Sequence, residues 1–79
     1  MIIQVTQKHI DAGIPRRPYD CPIALALTDA LLSQVSVGMY TFGNYSIFGY
    51  LPQNAQDFRA AFDSQLKMEP FEFEIEDPA

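Results

Sequence analysis

The chain has 79 residues, of which 48% are hydrophobic and 19% charged. That composition predicts one globular domain (residues 1–79) rather than a disordered chain, and a small core, since a chain of this size buries only roughly 60% of its unfolded surface. Ten carboxylates against five Lys and Arg leave a net charge of −5, which argues against direct contact with nucleic acid or anionic lipid and favours basic partners.

Residues 2–6, IIQVT, are short and β-branched and predict a strand. Thr6 is placed to cap a helical turn over residues 7–12, with Val5 and Ile10 at the positions of a hydrophobic staple and Gly13 suited to end the turn in a left-handed conformation. The segment IPRRPYD predicts an ordered loop. CPIALALTDALLSQ reads as a helix: Asp20 or Cys21 caps it, and Pro22 fits its first turn. Ile23, Leu27, Ala30 and Leu31 form one stripe, widened by Ala24, Leu25 and Ala26, with Thr28 and Asp29 on the wet side.

VSVGMYTF alternates and predicts a strand. A two-residue Gly43-Asn44 loop then returns the chain through YSIFGYL, with Phe42 facing Tyr45, Tyr40 facing Ile47 and Met39 facing Phe48. Pro52 opens a second helix, QNAQDFRAAFDSQ, with Phe58 and Phe62 four apart on one face and Ala55 a turn earlier. The chain closes on PFEFEIE, where Phe71, Phe73 and Ile75 alternate with Glu72, Glu74 and Glu76, as in a strand with one apolar and one carboxylate face. The order β-α-β-β-α-β predicts an α+β, ferredoxin-like sandwich. It has a four-stranded antiparallel sheet, two helices on one face, and the last strand at an edge beside the first.

The stretches HIDAG, CPIALAL, VSVG, LP followed by AQDFRAAFD, and PFEFEIE resemble a family of small proteins met in phages and bacteria. That family shares a His-Ile-x-x-Gly element, a Cys-Pro-Ile/Val-Ala-x-Ala-Leu helix start and a closing Pro-Phe-x-Phe alternation. The resemblance implies a phage or mobile-element setting and carries over no catalytic residues. The loop before Cys21 departs from the pattern, since IPRRPYD stands where similar sequences are rich in glycine or serine.

Four groups of residues invite a functional reading. Glu72, Glu74 and Glu76 lie roughly 6.6–6.8 Å apart along a strand, about twice the ~3.4 Å step between phosphates on one DNA strand. Such a row suits arginines that normally hold nucleic acid, and it equally guards an edge strand against pairing with another sheet. Tyr40, Phe42, Tyr45, Phe48 and Tyr50 fall on both faces of the hairpin, so some of them face outward. With no Lys or Arg in residues 35–52, base stacking lacks its phosphate contacts, and Tyr40, Tyr45 and Tyr50 read better as protein anchors or as a homodimer face. Cys21 at a helix start and the lone His9 raise a thiol enzyme, against a buried structural cysteine and a surface histidine. Arg16 and Arg17 suit a phosphate or, more simply, the protein's own acidic surface.

One cysteine forms no internal disulfide, no apolar run reaches the ~20 residues of a membrane span, and the start lacks the pattern of a signal peptide. These features predict a cytoplasmic protein, in the host cell if phage encoded. No nucleotide loop, dinucleotide fingerprint, serine elbow or zinc signature is present, so neither an enzyme nor a cofactor or metal is expected. The expected function is an acidic protein-binding module. It acts as an inhibitor or modulator of a host protein with a basic nucleic-acid-binding surface, in the manner of an anti-CRISPR protein. A structural or assembly homodimer and a small cysteine-dependent enzyme are the alternatives.

Overall fold

The computed structural model describes residues 1–77. Their elements run β1 (Ile2–Val5), α1 (Gln7–Ala12), α2 (Pro22–Leu31), β2 (Ser36–Val37), β3 (Thr41–Gly43), β4 (Phe48–Tyr50), α3 (Gln53–Asp63) and β5 (Phe71–Glu74). The class is α+β, but the single four-stranded ferredoxin-like sheet does not form. β1 and β5 make one antiparallel pair, and β2, β3 and β4 make a second small antiparallel sheet.

The division begins at Gly38. The expected strand VSVGMYTF is broken by a turn in which the Gly38 N–H donates to the Thr41 carbonyl at 2.7 Å. Its halves become β2 and β3, paired through Ser36 with Gly43 and Val37 with Phe42. Strands of two or three residues, at roughly 3.3 Å per residue, offer few ladder bonds to a further strand. The Val37 N–H donates to the Pro18 carbonyl, so the proline-rich loop covers part of the outer edge of β2.

The second turn of the hairpin also departs from expectation. It runs over residues 44–47 and is closed by the Asn44 N–H donating to the Ile47 carbonyl at 2.8 Å. The Asn44 Oδ1 accepts from the N–H groups of Ser46 and Ile47, and its Nδ2 donates to Ser33 Oγ and the Gln34 carbonyl. A side chain that imitates a backbone turn in this way outweighs the glycine beside it. The register moves accordingly. Phe42 faces Gly49 rather than Tyr45, Phe48 faces Gly43 rather than Met39, and the Tyr40 carbonyl meets the Leu51 N–H rather than Ile47. A Cβ on Gly49 would stand 2.5 Å from the Phe42 ring, so glycine lets that buried ring lie across β4.

The helices follow local chemistry more closely. Thr6 caps α1, with its side chain accepting from the His9 N–H and the His9 ring accepting from the Thr6 N–H. Gly13 is extended (φ −71°, ψ 150°) rather than left-handed. Its lack of a side chain serves a close approach instead, since a Cβ there would lie 2.6 Å from the Pro22 ring. Cys21 is the cap of α2, with Sγ accepting from the Ala24 N–H, and Pro22 follows it. Within the predicted stripe Ile23 and Leu27 are buried and Leu31 half-buried, whereas Ala30 is exposed. The helix ends earlier than predicted, with Leu32 in the left-handed region at φ 55°.

One apolar cluster joins the layers. Ile3, Val5, Phe73 and Ile75 from the β1–β5 pair meet Ile23 and Leu27 of α2, Val35 and Val37, and Ala55 and Phe58 of α3. Phe71 stacks on Phe58 with ring centroids 4.4 Å apart and ties β5 to α3. The alternation in PFEFEIE is realised, with Phe73 and Ile75 buried and Glu72, Glu74 and Glu76 exposed. Among the described residues no helix is long and apolar enough to cross a membrane.

Candidate protein-binding groove

The six residues singled out in the sequence do not form one site. Glu72 sits opposite Gln4, whose Nε2 donates to its carboxylate at 3.4 Å, and the Glu72 carbonyl accepts from Asn54 Nδ2 at 3.1 Å. Tyr40 lies in the turn before β3, and Tyr45 lies in the turn after it, at the other end of the hairpin. Tyr45 is fully exposed and shares a shallow depression with Tyr19.

Tyr50 has different company. It lies 72% exposed on β4, two residues from Phe48, which is 69% exposed. Their rings meet edge to face with centroids 5.4 Å apart, a favoured aromatic geometry. Phe48 and Tyr50 point outward because Gly49 between them opposes the inward Phe42. Next to them runs the end of β5, where the chain continues extended and the Ile75 N–H donates to the Met1 carbonyl. Between the two lies an open groove of about 600 Å³, lined by Phe48, Tyr50 and Pro52 on one side and by Glu74, Glu76 and Asp77 on the other.

The groove therefore has an aromatic wall and a carboxylate wall, and neither Lys nor Arg lines it. The Met1 ammonium lies 2.9 Å from Asp77, which leaves Glu74 and Glu76 without a cation among the described residues. Such a site suits a cationic chain with apolar side chains, and it repels a phosphate backbone. Tyr50, Glu74 and Glu76 come together here, while Tyr40, Tyr45 and Glu72 stand outside. Phe48 and Asp77 are contributors that the sequence reading did not include in the site. The Phe-Gly-Tyr triplet carried a signal for Phe48, since a glycine facing the core turns both neighbours outward.

No protein-family model, no curated protein and no solved structure matches this chain. The resemblance carried by the His-Ile-x-x-Gly, Cys-Pro-Ile-Ala and Pro-Phe-x-Phe elements therefore rests on those motifs alone.

Of the other candidates, the side chains of Cys21 and His9 and the backbone and guanidinium of Arg16 are engaged within the protein. Cys21 is 2% exposed. Burial raises its thiol above the ordinary value, outweighing the N–H groups of Ala24 and Ile23 and the Arg59 guanidinium, which act the other way. Cys21 is thus the buried cysteine at a helix start that the sequence set against a reactive thiol. His9 does not pair with Cys21. Its Nδ1 accepts from the Thr6 N–H at 3.0 Å, and its Nε2 lies 2.7 Å from Asp29 on α2. The Thr6 hydroxyl is 3.1 Å from the same Nδ1, but that nitrogen is held by the backbone at the helix start. The Arg16 N–H donates to Asp63 Oδ1 at 2.9 Å, and its guanidinium reaches the Asp63 carbonyl. Arg16 is thus bound to the protein's own acidic surface. Arg17 is exposed, and its carbonyl accepts from the N–H groups of Asp20 and Cys21.

Proposed function

We propose that the protein is a binding module that occupies the basic, nucleic-acid-binding surface of another protein and so inhibits or modulates it. In the phage or mobile-element setting implied by the motif resemblance, the target is a host nuclease or defence effector, and the action is anti-CRISPR-like. The observation that carries this reading is the groove in which Phe48 and Tyr50 face Glu74, Glu76 and Asp77. Aromatic side chains supply contact area at low entropic cost, and carboxylates choose a basic partner and speed its approach.

The test is capture from host lysate by wild type and by Glu74→Lys/Glu76→Lys, with the partner identified by mass spectrometry. The wild type is expected to retain a nucleic-acid-binding protein, and the double variant to lose it. Capture should also fall steeply as salt rises from about 50 to 200 mM. Glu72→Lys, outside the groove, should matter less. Equal yields for all proteins at both salt concentrations would sink the reading. A second reading, a homodimer through the hairpin, is favoured by the full exposure of Tyr45 together with that of Phe48 and Tyr50.

A further inference from the structure

The two walls of the groove are also two open strand edges. In an antiparallel ladder, opposed residues alternate between pairs that exchange both backbone hydrogen bonds and pairs that exchange none. The Leu51 N–H donates to the Tyr40 carbonyl, which makes residues 40 and 51 a bonded pair. Phe42 and Gly49, two steps along, form the next one. Phe48 and Tyr50 occupy the alternate positions, so their N–H and C=O groups point to the outer edge of β4.

The same alternation holds on β5. Met1 and Ile75 exchange both bonds at 2.9 Å, so Phe73 and Phe71 address β1. Glu72, Glu74 and Glu76 turn their backbone groups away from it. Asn54 occupies the Glu72 carbonyl. Among the described residues the outward N–H and C=O groups of Phe48, Tyr50, Glu74 and Glu76 have no hydrogen-bond partner.

We propose that a basic, extended segment of a partner protein adds as a strand in this groove, bonding to the outward backbone groups of both β4 and β5 and joining the two small sheets into one. The proposal rests on the protein-binding reading above and adds how the partner is held. Main-chain bonds hold such a strand, and pockets for alternate side chains select it. Charge decides the occupant. Glu74, Glu76 and Asp77 line the groove without a Lys or Arg, so Lys or Arg at alternate positions of the incoming strand meet carboxylates. The acidic strand of a second copy would bring like charges together and be repelled.

The test uses the full chain and a synthetic peptide of about ten residues alternating Lys and Val, with blocked ends. Two further versions carry N-methyl groups, one on every Val and one on every Lys. Each version removes the donors along one edge and keeps charge and side chains. The unmethylated peptide is expected to bind and to slow amide exchange at Tyr50 and Glu74, and each methylated peptide to bind at least about tenfold more weakly. Equal binding by the methylated peptides, or no binding of the unmethylated one, overturns strand addition. Weakening of only one methylated peptide means a single edge is used and overturns the bridge. A parallel capture experiment separates this inference from the reading beneath it. Tyr50→Pro removes an outward N–H that Tyr50→Ala retains, and thermal unfolding checks that both variants fold. If the partner is lost with Glu74→Lys/Glu76→Lys but is retained equally by Tyr50→Pro and Tyr50→Ala, strand addition fails and the binding module stands. Retention by all three variants removes both.

Discussion

A sulfur at the start of α2 accepts from the Ala24 N–H while lying among apolar neighbours, so its proton is harder to remove than that of a free thiol. The consequence for stability has a definite sign. Below the ordinary thiol pKa of 9.0 both states hold the proton and nothing changes with pH. Above it the unfolded chain releases a proton that the folded one retains, so stability falls as pH rises, by up to about 1.4 kcal/mol per pH unit. Cys21→Ser keeps an oxygen to cap the helix and should remove that alkaline slope, as read from urea unfolding at several pH values between about 8 and 10. An identical slope in the variant would place the alkaline loss elsewhere. At this scale the sequence was readable wherever the chemistry is local. Thr6 as a cap, Cys21 and Pro22 at a helix start, and Glu alternating with Phe and Ile all follow from near neighbours. Gly13 was not readable, because its need for no side chain comes from Pro22, nine positions on and brought close only by the fold.

At the scale of elements, the helices were legible and the strands only partly so. A helix carries its own periodicity and caps, whereas a strand of two or three residues is defined by its partner. The hairpin illustrates the difference. Gly43-Asn44 is a good turn signal, but the fold uses the Asn44 side chain instead, satisfying four polar groups around the 44–47 turn. Asn44→Ala should therefore cost about 2 kcal/mol, or roughly 10 °C in Tm for a chain of this length. Asn44→Asp retains the acceptor for Ser46 and Ile47, loses both donations, and should fall between the two. Thermal unfolding followed by circular dichroism distinguishes these outcomes. Equal Tm values for all three proteins would mean that the register is set by Phe42 against Gly49 rather than by the turn.

For the molecule as a whole, the groove was not legible, because it depends on where β4 stops relative to β5, and no local pattern encodes that distance. The sheet was expected to be continuous, and its division creates the two facing edges. The net charge of −5 and the glutamates along one edge place like charges in the way of edge-to-edge pairing between two copies. Glu72→Gln/Glu74→Gln/Glu76→Gln should accordingly self-associate at concentrations where the wild type remains a monomer, as sedimentation velocity would detect. A wild type that is already dimeric would favour the homodimer reading. The β1–β5 pair also bears on how the chain is made. Gln4 and Glu72, which face each other across that pair, are separated by 68 residues. On a ribosome adding roughly 5–20 residues per second, β1 waits several seconds for its partner strand. Throughout that interval Ile3 and Val5 lack the strand that completes their core, and the nascent chain is most open to chaperones and to aggregation.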